Sequence, residues 1–170
     1  IPEDNAVIWR GVMASNAIKQ FIRDVDWGNL DYLIIDLPPG TGDIHLSLCQ
    51  TLSIRGAVVV SSPQEISLID VRKAIGMFEK VNVPILGLIQ NFSYLKLKDE
   101  QKNYIFGKDG VVKESKRKKI KFLGEIPILS EISSLSDQGI PASYDEKKNV
   151  FVFFKEIVNK LFDSLENIKL

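Results

Sequence analysis

The chain has 170 residues, 45% of them hydrophobic and 26% charged, so it is long and apolar enough to bury the core of a single domain. Its 22 Lys and Arg residues balance its 22 Asp and Glu residues, which gives no electrostatic reason to expect nucleic acid or an acidic membrane as a partner. The single cysteine, Cys49, excludes an internal disulfide and an intrachain Cys-x-x-Cys metal site, and it favours a reducing compartment, for which we expect the cytoplasm.

Hydrophobic spacing in the first third of the chain predicts two helices around one strand. Apolar residues at helical spacing predict a helix over residues 15–25, and Gly28 breaks the pattern before a buried strand over residues 30–35. A second helix begins near residue 44 and ends near residue 53. Within it, Cys49 is predicted to be a small core residue rather than a reactive thiol.

The rest of the chain alternates between strands and helices. Because crossovers between parallel strands are right-handed, this rhythm predicts a three-layer α/β fold, a parallel sheet with helices on both faces. Residues 95–104 are polar and are predicted to form a surface loop or a short hairpin. The predicted strands are 57–60, 85–89 and 121–125; the predicted helices are 65–81, a basic segment after residue 107, a short helix through residue 135, and 149–165.

Two of these helices have alternative interpretations. The basic one is typical of a solvated helix face, and a polyanion-binding patch is the alternative. The last helix carries a broad apolar stripe that favours packing on the sheet, with binding to a membrane surface as the alternative. The basic residues are Lys113, Lys116, Arg117, Lys118, Lys119 and Lys121.

Residues 33–43 read Leu-Ile-Ile-Asp-Leu-Pro-Pro-Gly-Thr-Gly-Asp, and they carry the strongest functional signal. Asp36 is predicted at the carboxyl end of a buried strand, the edge where open α/β sheets bind ligands. A carboxylate there suits a hydrated divalent metal beside a phosphate, while Pro38, Pro39 and Gly40 end the strand and Asp43 adds a second carboxylate. A strand followed by a capped turn is the alternative.

Several short motifs follow one another along the chain: Trp9-Arg10-Gly11, Asp24-Val25-Asp26-Trp27-Gly28, Leu30-Asp31-Tyr32, Asp36-Leu37-Pro38-Pro39-Gly40-Thr41-Gly42-Asp43, Pro63-Gln64, Asp70-Val71-Arg72-Lys73, Gln90-Asn91-Phe92-Ser93-Tyr94, Ile105-Phe106-Gly107 and Leu123-Gly124-Glu125-Ile126-Pro127. In their order and spacing they resemble the Mrp/ApbC family, a branch of the MinD-like P-loop ATPases, and the resemblance covers almost the whole chain. It implies a homodimer that binds ATP and Mg²⁺, hydrolyses ATP and delivers iron-sulfur clusters to apoproteins.

The resemblance also implies roles for individual residues. Asp36 becomes the switch carboxylate that holds Mg²⁺ through water, and residues 38–43 become the segment that senses the γ-phosphate. Asn91 resembles the amide that reads adenine, a role that suits a group with both a donor and an acceptor, although a turn cap is equally consistent. Pro127 resembles the loop that closes over the base.

The sequence departs from the family pattern at the phosphate loop. No Gly-rich loop followed by Lys and Ser or Thr occurs in the 170 residues, so no phosphate cradle can be assigned. We expect about a hundred further residues with the first strand and this loop to precede the chain in a complete protein. The 170 residues would then be the carboxyl-terminal part of one nucleotide-binding domain, inactive alone, with an exposed strand edge and exposed apolar surface.

The second departure from the family pattern concerns the iron-sulfur cluster. The family's Cys-x-x-Cys pair belongs between Tyr94 and Ile105, and that interval contains no cysteine, so the chain offers no cluster-ligand pair. Two alternatives to a cluster-carrying ATPase therefore stay open. One is a non-enzymatic scaffold or regulator, and the other is a MinD-like ATPase whose last helix visits a membrane. We expect no nucleic-acid partner and no stable membrane association.

Overall fold

The computed structural model describes residues 11–37, 40, 42–97 and 101–168. The chain divides into two compact units, Ile1–Ile54 and Arg55–Leu170, and each is described by itself. Pro38, Pro39 and Thr41 lie outside the described residues, as do Trp9 and Arg10. That the whole chain forms one domain stays a prediction.

The first unit contains the two predicted helices, α1 (Gly11–Asp24) and α2 (Asp43–Thr51). They pack together, and the Ser47 hydroxyl donates a hydrogen bond to the Ser15 hydroxyl at 3.1 Å. Leu48 and His45 of α2 are buried. Both helices follow the apolar periodicity of the sequence, and their bounds differ from the predicted ones by a few residues.

The predicted strand over residues 30–35 is wrong. This segment is irregular, and its apolar side chains face solvent, with Ile34 90% exposed. An apolar run becomes a buried parallel strand only where neighbouring strands and covering helices exist. The described part of the first unit contains helices and no strand, so the segment lacks the pairing that its sequence needs.

The second unit contains the predicted parallel sheet. Its strands are β1 (Ala57–Ser61), β2 (Ile85–Gln90) and β5 (Phe122–Glu125), in the order β1-β2-β5. In register, Gln90 stands between Ser61 and Glu125, so the three carboxyl ends form one edge. The predicted hairpin is also confirmed as antiparallel β3 (Leu95–Lys96) and β4 (Lys102–Asn103).

Four helices belong to this unit: α3 (Glu65–Lys80), α4 (Gly110–Lys118), α5 (Ser130–Asp137) and α6 (Phe151–Glu166). Helix α6 covers one face of the sheet through Ile157, which packs with Ile89 and Leu123. Gln90 follows Ile89 and therefore points to the opposite face, where it meets α4. The sheet is thus flanked by helices as predicted.

The last helix packs on the sheet, as predicted. Ile157 is 6% exposed, although Val152, Val158 and Phe162 of the same helix stay exposed. None of the helices in the described part of the chain combines the length and apolar character of a membrane span.

The open side of β1 confirms the predicted strand edge. Among the described residues β1 pairs only with β2, and Val58 and Val60 are exposed. Unpaired N–H and C=O groups on such an edge are a template for another strand.

Candidate functional site

The irregular segment that ends at Leu37 contains Asp36, so the prediction that Asp36 lies at the end of a buried strand is wrong. Asp36 is exposed, and Leu37 is half-buried. Gly40 has φ +104°, a left-handed conformation that favours glycine. The Gly42 carbonyl accepts hydrogen bonds from His45 N at 3.1 Å and Leu46 N at 3.4 Å, so α2 begins at Asp43.

This loop fits a Mg²⁺ ion that is held mainly by water and phosphate. Mg²⁺ keeps several waters and takes one or two carboxylates beside substrate phosphates. Asp36 is exposed and offers one such carboxylate, whereas the described residues contain no group of three or more His, Cys, Asp or Glu side chains that would hold a metal alone. The donor set therefore suits an ion that arrives with a nucleotide.

Asn91 follows β2 and caps a tight turn. Its backbone N–H donates to Ser61 O at 2.8 Å, and its Oδ1 accepts from Phe92 N at 2.9 Å. Phe92 has φ 52°, and Asn91 stabilises this uncommon conformation through that bond. The capping role of Asn91 is thus present in the structure.

The Pro127 loop lies directly beside this turn. Ile126 N donates to Gln90 O at 2.8 Å, and Ile128 N donates to Tyr94 O at 2.8 Å. Pro127 itself is buried and has no N–H to donate. The structure therefore brings Asn91 and Pro127 together at the carboxyl edge of the sheet.

A separate cavity of about 450 Å³ lies between the Pro63-Gln64 turn and the beginning of α4, and neither Asn91 nor Pro127 lines it. Its wall contains Glu114, whose carboxylate is only 3% exposed and accepts hydrogen bonds from Arg117 and, at 3.2 Å, from Arg72 Nε. The Arg117 bond is the main reason that the pKa of Glu114 lies below its usual value; burial opposes this shift, and Arg72 adds to it. The Arg72–Glu114 pair connects α3 to α4.

Three of the six basic residues in and just after α4 form ion pairs, which favours the interpretation as a solvated helix face. Arg117 pairs with Glu114, and Lys121 lies 3.7 Å from the Asp163 carboxylate. Lys118 Nζ lies 3.8 Å from Glu79. Charges that are paired in this way are less available to a polyanion.

Cys49 is half-buried, and burial raises the pKa of its thiol. A raised pKa keeps the thiol protonated and poorly nucleophilic. The prediction of an unreactive cysteine fits this environment better than the alternative.

Sequence reasoning gave no individual role to four buried polar side chains of the second unit: Gln90, Ser93, Glu114 and Ser115. A signal existed for Gln90, because a polar residue ends an otherwise apolar strand. Glu114 and Arg117 form a local i, i+3 pair, but the second partner of Glu114, Arg72, lies 42 positions away and no local pattern marks it.

A family model described as the NUBPL iron-transfer P-loop NTPase of the ParA group matches residues 1–162. The chain belongs to the NUBPL iron-transfer P-loop NTPase family.

Named relatives of this NUBPL-family chain are close in sequence. It is 44% identical over 172 residues to the mouse iron-sulfur cluster transfer protein NUBPL, covering 98% of this chain and 54% of the relative. It is 42% identical to the iron-sulfur cluster carrier protein of Aquifex aeolicus, covering 97% of this chain and 47% of the relative. The chain thus spans about half the length of the curated relatives it matches.

Solved structures agree with the NUBPL-family assignment. An ADP-bound nucleotide-binding protein from Archaeoglobus fulgidus is 40% identical, with a TM-score of 0.71, over 84% of this chain and 58% of that one. The cell-division ATPase MinD of Pyrococcus furiosus has a TM-score of 0.64 at 21% identity over 93% of this chain and 63% of that one, which shows the fold alone.

Proposed function

We propose that this chain supplies the switch and base-recognition part of an ATP-hydrolysing, homodimeric protein that transfers iron-sulfur clusters to apoproteins. The observation that carries the proposal is the likeness, at 40% identity, to a protein solved with ADP. The names of the mouse and Aquifex relatives support the cluster cargo. The single cysteine favours a reducing compartment, and we assign the chain to the cytoplasm.

Each site residue has one role in this proposal. Asp36 holds a water of the Mg²⁺ that accompanies ATP, and residues 38–43 respond to the γ-phosphate. Asn91 donates its amide N–H to adenine, and Pro127 borders the base. Hydrolysis is phosphoryl transfer to water, in which positioning and charge neutralisation supply most of the rate. The phosphate cradle must come from a P-loop, which these residues do not contain.

The test uses a fusion that joins a P-loop-bearing segment of the mouse relative to the amino end of this chain, called the P-loop fusion below. Asp36→Ala should reduce Mg²⁺-dependent ATP turnover by about a hundredfold or more, because the metal loses its protein carboxylate. Asp31→Ala is the matched control, since Asp31 is an exposed carboxylate of the same segment. Equal turnover in the two variants would refute the role of Asp36.

The single cysteine favours a second candidate, a nucleotide-binding regulator that carries no cluster. Thiolates are the usual cluster ligands, and one chain supplies only Cys49. Anaerobic reconstitution of the P-loop fusion with iron and sulfide separates the two candidates. Colour that disappears in a Cys49→Ser variant supports a carrier with one thiolate per subunit, whereas a colourless protein with intact ATP turnover supports the regulator.

A further inference from the structure

Two polar side chains on either side of Asn91 are completely buried. Gln90 and Ser93 are both 0% exposed, although each carries groups that need hydrogen-bond partners. Burial of a polar side chain is costly unless its bonds are made, so the partners of these two residues indicate what they hold in place.

Ser93 is bonded to the segment that precedes Pro127. Its backbone N–H donates to Ile126 O at 3.0 Å, and its Oγ donates to the same oxygen at 3.1 Å. Ile126 N in turn donates to Gln90 O at 2.8 Å. Both backbone polar groups of Ile126 are therefore fixed by residues that flank Asn91.

Gln90 extends this connection to α4. Its Oε1 accepts from Val111 N at 3.1 Å, close to the beginning of that helix. The Gln90 carbonyl that accepts from Ile126 N therefore belongs to a residue whose side chain is anchored through Oε1, whereas its buried Nε2 makes no hydrogen bond to the described residues. The turn that carries Asn91 is tied to the Pro127 loop by Ser93 and to α4 by Gln90.

We propose that Ser93, supported by Gln90, is a positioning residue that sets adenine specificity by fixing the distance between the Asn91 carboxamide and Pro127. The inference rests on the proposed function, in which both groups border the base. Adenine N1 accepts a hydrogen bond, whereas guanine N1 carries a proton, so an amide N–H held at a fixed place distinguishes the two bases. Without the Ser93 hydroxyl, Ile126 O keeps only the bond from Ser93 N, so the Pro127 loop is held less firmly against the turn and this discrimination weakens.

The test compares Ser93→Ala with Ser115→Ala. Ser115 is also a buried serine, and its Oγ donates to Ile120 O at 2.7 Å, at the far end of α4. Each variant loses one buried hydrogen bond to a backbone carbonyl, so a general loss of stability affects both. Adenosine and guanosine are titrated separately against the 170-residue chain and followed by NMR, which reads base recognition without a P-loop.

The ratio of the affinity for adenosine to the affinity for guanosine should be the same in the unmodified chain and in Ser115→Ala. In Ser93→Ala this ratio should fall about fivefold, the effect of one hydrogen bond. An unchanged preference in Ser93→Ala would overturn the inference. If Ser93→Ala does not fold, Ser93→Cys is used, and a preference equal to that of the unmodified chain would likewise overturn it.

Hydrogen exchange separates this inference from the proposed function. If the unmodified chain binds neither nucleoside, the proposal that Asn91 recognises the base is wrong. Hydrogen exchange then still tests whether Ser93 holds the Pro127 loop against the Asn91 turn. The Ile126 and Ile128 amides should then exchange about fivefold faster in Ser93→Ala than in Ser115→Ala. Equal exchange in the two variants would refute the positioning role.

Discussion

Among the glycines of the second unit, Gly110 leaves the least room for a side chain. A Cβ atom there would lie 2.1 Å from Pro63 O, 2.8 Å from Pro63 C and 3.0 Å from Pro63 Cα. Ordinary contact begins at 3.4 Å, so the closest pair must separate by 3.4 − 2.1 = 1.3 Å. All three atoms belong to the backbone, and no side-chain rotation relieves the clash.

This displacement determines how much the free energy of unfolding should fall in Gly110→Ala. Overpacking of a fitted site typically costs about 1–3 kcal/mol. Alanine recovers about 0.5–1 kcal/mol, because it restricts the unfolded chain and favours the helix. The free energy of unfolding should therefore fall by up to about 2.5 kcal/mol.

Urea denaturation measures this change, with Gly76→Ala as the matched control. Gly76 lies inside α3, and a Cβ atom added there meets nothing within 4 Å. The same substitution should therefore stabilise the protein by about 0.5–1 kcal/mol. The reasoning is refuted if Gly110→Ala stabilises the chain as Gly76→Ala does.

Two further predictions concern Glu114 and Cys49. The pKa of Glu114 is lowered in the folded state, so its stabilising effect is complete above the unfolded value of about 4.5 and is lost as the pH falls through the lower folded value. The free energies of unfolding of the unmodified protein and of Glu114→Gln should thus converge as the pH falls below about 4.5. The control Glu156→Gln, which replaces an exposed carboxylate, should change the free energy of unfolding little at any pH. A difference between the unmodified protein and Glu114→Gln that stays constant with pH would contradict this linkage. Cys49 should react with iodoacetamide at pH 7 more slowly than free cysteine, because the side chain is half-buried and burial raises the pKa of its thiol. A rate equal to that of free cysteine would refute this.

Strands were predictable where their partners lie within the described residues. β1 and β2 have apolar sequences that pair with each other, and both appear within one residue of the predicted bounds. Residues 30–35 have an equally apolar sequence but no strand partner, and they remain irregular. The local sequence indicates that a segment tends to be buried, whereas its actual burial depends on neighbouring strands and covering helices.

The site was predictable only in part for the same reason. Motif order placed Asn91 and Pro127 at strand ends, and parallel pairing brings those ends to one edge. The ties that hold them together depend on tertiary contacts, since Ser93 and Ile126 are 33 positions apart. Only the folded chain brings such partners together.

The most direct test of the account is ATP binding by the 170-residue chain alone and by the P-loop fusion. The fusion should bind ATP with an affinity that rises on addition of Mg²⁺, and Asp36→Ala should remove that rise. The chain alone should show no Mg²⁺-dependent binding, because Asp36 has no fixed phosphate beside it. Equal, Mg²⁺-dependent affinity in the chain and in the fusion would contradict the proposal that these residues supply one part of a nucleotide site whose phosphate cradle comes from a P-loop.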